Sequence, residues 1–394
     1  MLAEFLVRDL AIVLIIAAIV AFIFHRLQQP IVLGYIIAGV IIGPYTPPFS
    51  YLSQPEVFSA LAEIGVILLL FGIGLSFPVK KLLSLGRVSL TVASVEIASM
   101  LLFSIIAGML LGWSLTDALF LGVALASSST AIIAKCVTDL GKLGESSCDI
   151  MLGVLIVEDL TVVVMLTGLQ AFYAAGTLSL VDMLILGGKI ILFLGGSLLV
   201  GWKLVLPFIE RVRMESMEIL VIMAVGLCFA FSIAAFFLGF SVAIGAFIAG
   251  VVFASWRGSD ELITGTLPLR DVFGAIFFVS VGALMDVTKI WDYLLPVLAI
   301  TLTMLAGKVI GCSFGTMISG FGRVTSLRVG LGMAQIGEFA FIVVKAGSDL
   351  GVLTAPLFSI VGVVAILTTF LTPYLIKYSY TLSESKVGNG LNTN

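Results

Sequence analysis

Two adjacent acidic residues, Glu158 and Asp159, stand in the middle of an otherwise apolar run at 151–168. The run belongs to a segment long enough to cross a bilayer, which takes about 20 apolar residues in a helix. An ionised carboxylate at the centre of such a helix costs about 2.5–3.5 kcal/mol even on the most lenient scale. Two carboxylates therefore need a water-filled cavity, a cationic partner, or bound protons or metal ions. This requirement indicates ion transport.

The best cationic partner in the sequence is Lys308, in the apolar run TMLAGKVIG at 303–311. The flanking Gly307 and Gly311 allow another helix to approach closely. Adjacent helical residues project about 100° apart, so Glu158 and Asp159 have different surroundings. One acid can pair with Lys308 while the other faces a cavity. A purely structural ion pair is the alternative, but one acid would suffice for it.

Two further apolar runs carry polar residues at mid-membrane depth, ASSSTA at 126–131 and QIGEF at 335–339. A helix interrupted in the bilayer leaves about four donors and four acceptors without partners at each break. Hydroxyls, a glycine and a carboxylate can satisfy these groups and offset the half-helix dipoles. The runs therefore predict two discontinuous helices. The alternative for the hydroxyl run is a continuous helix whose Ser and Thr side chains bond back to the preceding turn.

The composition excludes most other classes of protein. Of 394 residues, 60% are hydrophobic and 11% charged, whereas soluble domains carry about 25% charged residues. The chain is thus predicted to be an all-α polytopic membrane protein. Scattered basic residues give no sign of nucleic-acid binding. One histidine, no nucleophile–base pair and no metal-ligand cluster predict a transporter without cofactor rather than an enzyme, and the four cysteines form no disulfide framework.

Thirteen apolar segments have the character of membrane spans, and we number them spans 1 to 13. They cover residues 9–24, 31–43, 57–77, 89–112, 116–138, 150–172, 181–202, 216–236, 239–254, 270–285, 293–319, 325–348 and 353–378. Of the 20 basic residues, 15 follow odd-numbered spans or lie in the tail, and 3 lie on the opposite side. Because basic residues concentrate in cytoplasmic loops, we expect the N-terminus outside and the C-terminus in the cytoplasm.

Three short matches recur at nearly constant spacing. LGYIIAGVIIG (33–43) is similar to IGAFIAGVVFA (244–254) at an offset of 211, Gly74 pairs with Gly282 at 208, and 122–133 aligns with 330–341 at 208. The matched spans are 2 and 9, 3 and 10, and 5 and 12. They are seven crossings apart, an odd number, so the second copy must be inverted, as in many secondary transporters. Coincidental small-residue packing motifs are the alternative.

We therefore expect one transmembrane domain at 1–380. It would consist of repeat one at about 9–172, a linking helix at about 181–202 and repeat two at about 216–378. A short polar cytoplasmic tail would follow at 381–394.

Four other charged residues fall within or near the spans. Glu96 could line an inner funnel and Glu63 an outer one, although a wet crevice and a capping role explain them equally well. Lys189 and Lys345 lie near span ends, where a lysine can extend its ammonium group to the interface. We expect these two lysines to be structural.

Several motifs together resemble the cation:proton antiporter superfamily, in particular its Kef-like and NapA-like branch. They are LGYIIAGVIIGP (33–44), LLLFGIGL (68–75), SSST in span 5, VEDLTVV (157–163), FFVSVGALMD (277–286), GKVIG (307–311) and GEFAF (337–341). The resemblance covers essentially the whole chain, and the motif order agrees throughout.

The resemblance implies a sodium/proton antiporter fold of about thirteen helices. Spans 4–6 and 11–13 would form a moving core with crossed discontinuous spans 5 and 12, and the other spans a dimerising scaffold. Asp159 would bind cation and proton alternately, and Glu158 would pair with Lys308. Two features depart from the Kef pattern: Kef systems usually have Gln before the aspartate, and they carry a cytoplasmic nucleotide-binding domain. Regulation would then be absent, supplied by a separate subunit, or lost through truncation of the sequence.

The sequence thus predicts a homodimeric antiporter that exchanges Na⁺ or K⁺ for protons across the cytoplasmic membrane by alternating access. Asp159, beside Glu158, would hold the cation with oxygens from Ser129 and Thr130. The supporting ion pair and the breaks would involve Lys308, Glu338, Gln335, Ser127 and Ser128. Two alternatives on a related fold stay open, a ligand-gated potassium efflux channel and a sodium-coupled organic-anion symporter. The residue types decide neither Na⁺ against K⁺ nor the charge moved per cycle.

Overall fold

The computed structural model describes residues 2–27, 29–46, 55–76, 86–130, 132–133, 145–175, 188, 192–193, 195–197, 199–213, 216–238, 242–286, 288 and 291–388. Within these residues the chain is helical and contains no β-strand. Helices are the expected element, because the hydrocarbon core offers no water to backbone groups and each segment must satisfy its own.

The helices are bounded as follows. They are α1 (Leu2–Arg26), α2 (Ile31–Ile42), α3 (Pro55–Leu75), α4 (Arg87–Leu110), α5 (Leu115–Leu125), α6 (Ser146–Ala175), α7 (Leu206–Arg213), α8 (Met217–Phe237), α9 (Val242–Ala254), α10 (Ser259–Ala283), α11 (Leu294–Ile318), α12 (Arg323–Gly332), α13 (Phe339–Asp349) and α14 (Leu357–Gly388). A π-helical turn at Gly201–Val205 leads directly into α7.

Seven helices in the described part of the chain are long and apolar enough to cross a membrane, and four shorter apolar helices accompany them. This agrees with the multi-pass, all-helical architecture predicted from composition. Most of span 7 (181–202), including Lys189, lies outside the described residues.

Several helices extend beyond their predicted bounds, α10 and α14 by the most. α10 begins at Ser259, eleven residues before the predicted start at 270, and continues through Pro268. Asp260 and Glu261 lie in its first turn, where negative charge interacts favourably with the helix dipole. α14 runs through Pro373 and continues to Gly388, so residues 381–388 of the predicted polar tail are helical. Between Pro373 and Gly388 the sequence contains no Pro or Gly.

The chain divides into two compact units. The first unit contains most of α1 and α2, with α3 and α7–α10. The second contains α4, α5, most of α6, and α11–α14. The helices of the second unit correspond to spans 4–6 and 11–13, the set that the family resemblance assigns to a moving core.

Glycines bring helix backbones into contact within the first unit. A side chain at Gly39 of α2 would collide with the carbonyl oxygen of Val279 on α10, and one at Gly250 of α9 would collide with that of Phe71 on α3. The two glycines are 211 residues apart, and Phe71 and Val279 are 208 apart. These are the offsets of the sequence matches, so one contact reproduces the other.

A second pair of contacts in the same unit follows the same rule. A Cβ at Gly34 would lie 3.0 Å from the Cα of Ala21, and a Cβ at Gly245 would lie 2.5 Å from the Cα of Ser232. Both members of the second contact are 211 residues beyond those of the first. Each of these glycine contacts thus has a counterpart at the offset of the sequence matches.

Candidate functional site

The chain breaks its helical course after α5, within the predicted hydroxyl run. α5 ends at Leu125, and residues 126–129 are not helical. Ser127 and Ser128 are buried there, with 0% and 3% of their surface exposed. The sequence prediction of an interruption at 126–131 therefore agrees with the structure.

A matching interruption separates α12 from α13, at 333–338. The two interruptions contact each other: the backbone N–H of Gly337 donates to the carbonyl oxygen of Ser127 at 2.8 Å, and the Ser128 hydroxyl donates to the carbonyl oxygen of Met333 at 3.3 Å. The wholly buried side chain of Gln335 approaches the same region, with its Nε2 3.5 Å from the carbonyl oxygen of Ser129. Each interruption thus supplies partners for backbone groups that the other leaves open.

Lys308 of α11 lies beside these interruptions. Its Nζ donates to the carbonyl oxygen of Ala126 at 2.8 Å and to the hydroxyl of Ser128 at 2.7 Å. It also donates to Glu158 Oε1 at 3.3 Å and forms an ion pair with Glu96 Oε1 at 2.8 Å. The three charged side chains are all 0% exposed. Burying an unpaired ion costs several kcal/mol. Each charge in this cluster is therefore stabilised by the opposite charge beside it.

Glu96 is the member of this cluster that sequence reasoning missed, since it was expected to line a funnel or a wet crevice. The signal that could have found it is the glycine spacing around Lys308. A Cβ at Gly311 would lie 2.9 Å from the Cα of Glu96 and one at Gly307 would lie 2.6 Å from the Sδ of Met100, so the closely approaching helix is α4. Glu63, the other funnel candidate, is exposed on α3.

Asp159 follows Glu158 on α6 and has different surroundings, as adjacent helical positions require. Its Oδ1 is buried and has no hydrogen-bond partner among the described residues. The carboxylates of Glu158 and Glu338 act on Asp159 as like charges, and Lys308 acts on it as an opposite charge. A buried carboxylate oxygen without a donor favours uptake of a proton or a cation.

The other predicted site residues are distributed around the interruptions. Ser129 is partly exposed and Thr130 is exposed. Within the described part of the chain neither forms a hydrogen bond with Asp159, so the structure does not bring these three together directly. Glu338 is the N-cap residue of α13, where its negative charge lies at the positive end of the helix dipole. Ser127 lies buried at the contact with Gly337.

A buried carboxylate fixes the start of α5. Asp117 is 0% exposed and accepts hydrogen bonds from the backbone N–H groups of Thr354 at 2.8 Å and Ala355 at 3.1 Å. The Ser114 hydroxyl donates to it at 2.6 Å. Asp117 thereby ties the first half of the interrupted span 5 to the segment that precedes α14.

An ion pair performs the corresponding task for α12. Arg328 Nη1 donates to Glu145 Oε2 at 2.9 Å, and its guanidinium carbon lies 4.3 Å from the centre of the Tyr380 ring. Asp117 with its donors and Arg328 with Glu145 thus each tie the first half of an interrupted span to a distant segment, and we call them the two clamps.

Comparison with known proteins agrees with this arrangement. Residues 12–377 match the family described as "Sodium/hydrogen exchanger, transmembrane". The Na(+)/H(+)-K(+) antiporter GerN of Bacillus cereus is 31% identical over 376 residues, covering 94% of this chain and 95% of that protein. K(+) efflux antiporter 5 of Arabidopsis thaliana is 28% identical over 379 residues, covering 94% of this chain and 66% of that protein.

The fold is also that of a solved transporter. The sodium proton antiporter MjNhaP1 of Methanocaldococcus jannaschii, determined at pH 8, superposes with a TM-score of 0.71 over 98% of both chains, at 20% identity. The chain belongs to the transmembrane sodium/hydrogen exchanger family and is a multi-pass monovalent cation:proton antiporter, not an enzyme.

Proposed function

We propose that Asp159 binds a proton and a Na⁺ or K⁺ ion alternately and so couples their exchange across the cytoplasmic membrane. The observation that carries this proposal is the buried Oδ1 of Asp159, which has no hydrogen-bond partner within the described residues. A single oxygen can hold either a proton or part of the coordination shell of a cation, so the two substrates compete.

Oxygen ligands for the cation would come from the interruption of span 5. Ser129 and Thr130 are at least partly exposed and follow directly after the buried Ser127 and Ser128. Carboxylate and hydroxyl oxygens suit hard cations of low charge. Because Asp159 lies beside like charges and near the buried Lys308, a cation would bind at the carboxylate rather than deeper in the cluster.

Glu158 and Lys308 would have the second role, that of holding the interruption in place. If this pair stays charged throughout, exchange is one cation for one proton and moves no net charge. If Lys308 or Glu158 gives up its charge during the cycle, exchange is electrogenic. Proton flux with and without a clamped membrane potential, for each cation, separates the two cases.

The finer architecture is part of the same proposal. Thirteen spans, two inverted repeats and crossed interruptions would allow alternating access, with the unit of α4–α6 and α11–α14 moving. The duplicated glycine contacts support the repeats. The excess of basic residues after odd-numbered spans supports an external N-terminus and a cytoplasmic C-terminus. A homodimer, and regulation by a separate subunit, complete the proposal.

The test is transport in proteoliposomes. Asp159→Asn should abolish cation-dependent proton movement, while Asp149→Asn, an exposed acid on the same helix, should leave it intact. Wild-type protein should also move K⁺ or Na⁺ against its own gradient when a pH gradient is imposed, which a channel cannot do. Full activity of Asp159→Asn would reject the assignment.

A further inference from the structure

Lys308 carries one positive charge and is paired with two carboxylates, those of Glu96 and Glu158. Its Nζ donates to Ala126, Ser128 and Glu158, and Glu96 Oε1 lies 2.8 Å from it, closer than Glu158 Oε1 at 3.3 Å. A single ammonium group therefore has two carboxylates at ion-pairing distance.

The two acids differ in what else they are coupled to. Glu158 is the neighbour of Asp159 on α6, so any displacement of Asp159 on ion binding acts on Glu158 through the backbone. Glu96 is on α4, which packs against α11 at Gly307 and Gly311 with little free space. Glu96 therefore reaches Lys308 from a different helix than the acid pair, although its carboxyl group also lies beside that of Glu158.

We propose that Glu96 is a positioning residue for transport. It is the counter-ion that keeps Lys308 at the end of α5 when Glu158 moves or loses its charge. This inference rests on the proposed function of Asp159. The group that Lys308 caps is the carbonyl of Ala126, directly after α5, where helix carbonyls lack intrahelical partners and the dipole is negative. The other ionisable side chains that act on Lys308 are Glu158, Asp159 and the buried thiol of Cys312.

The proposal makes the two acids mutually replaceable as counter-ions. Glu96→Gln leaves Lys308 paired with Glu158, and Glu158→Gln leaves it paired with Glu96. Only the double variant leaves a wholly buried ammonium group without a carboxylate beside it, which is a far more damaging change than losing one of two partners. The expected signature is a loss in the double variant that exceeds the sum of the single losses.

The experiment compares thermal unfolding in detergent and exchange in proteoliposomes for Glu96→Gln, Glu158→Gln and the double variant, with Glu63→Gln, an exposed acid on α3, as the control. We expect each single variant to lower the melting temperature by less than half of the drop in the double variant. Glu96→Gln should lower the maximal exchange rate at an unchanged half-saturating cation concentration, because Glu96 does not bind the cation. The variant with Glu96→Asp and Glu158→Gln keeps a carboxylate at position 96. It should regain more than half of the exchange rate that the double variant with Glu96→Gln and Glu158→Gln loses.

Three outcomes would overturn the inference. The first is an additive melting-temperature loss, and the second is a Glu96→Gln effect no larger than that of Glu63→Gln in the Glu158→Gln background. The third concerns a double variant that does not fold: adding Lys308→Gln should restore folding by removing the lone charge, and failure to do so contradicts the counter-ion role. Melting temperatures need no transport, so they decide the role of Glu96 even if Asp159→Asn retains exchange and the proposed function fails.

Discussion

The backbone N–H of Gly337 donates to the carbonyl oxygen of Ser127 at 2.8 Å, so the two helix interruptions of this antiporter hold each other. A Cβ at Gly337 would lie 2.5 Å from the Ser127 hydroxyl and 2.6 Å from the Ser128 carbonyl oxygen. The glycine is therefore required by the close approach of two backbones.

Gly337→Ala should separate the interruptions. Overpacking of this kind costs about 1–3 kcal/mol, and we expect a lower melting temperature in detergent together with a large loss of exchange. Gly226→Ala on α8 is the matched control, because a Cβ there meets nothing within 4 Å. Equal behaviour of the two variants would show that the contact is not required.

Removal of the central lysine should be more damaging. Lys308→Gln leaves the buried carboxylates of Glu96 and Glu158 without a cation, and breaking a buried pair from one side costs about 3–5 kcal/mol. Thermal unfolding in detergent measures the loss, and Lys377→Gln, exposed on α14, serves as the control. A melting temperature like that of the control would mean that both acids are already neutral in the wild type.

The two clamps should differ in strength. Asp117→Ala leaves backbone N–H groups without their buried acceptor, a cost of about 1–3 kcal/mol. Arg328→Met removes an ion pair whose side chains are 18% and 34% exposed, and such pairs contribute about 0–1 kcal/mol. Thermal unfolding of both variants should therefore show the larger loss for Asp117→Ala, and the opposite order would contradict the assignment of Asp117 as the stronger clamp.

The interruptions could be predicted from sequence because their chemistry is local. A continuous apolar helix is disfavoured by four consecutive hydroxyl residues at 127–130. It is equally disfavoured at the matching place by Gly337 and Glu338. The duplicated contacts were likewise implied by the sequence offsets, because glycine recurs at the matched positions where backbones meet.

Of the two carboxylates paired with Lys308, Glu158 was predicted from the sequence and Glu96 was not. An acid beside Asp159 was an obvious candidate, whereas Glu96 lies more than 200 residues before Lys308 in the chain and reaches it through the packing of α4 on α11. Asp117 escaped notice for a similar reason, since its donors are backbone groups of a distant segment. Backbone donors have no sequence signature, and long-range pairing depends on tertiary packing.

The most direct test of the central claim is proton release on cation binding. Purified protein in weakly buffered detergent solution, with Asp159 protonated at the start, receives Na⁺ or K⁺ while the pH is recorded. We expect about one proton released for each cation bound, none from Asp159→Asn, and an unchanged release from Asp149→Asn. Cation binding without proton release, or release that persists in Asp159→Asn, would contradict a shared site at Asp159.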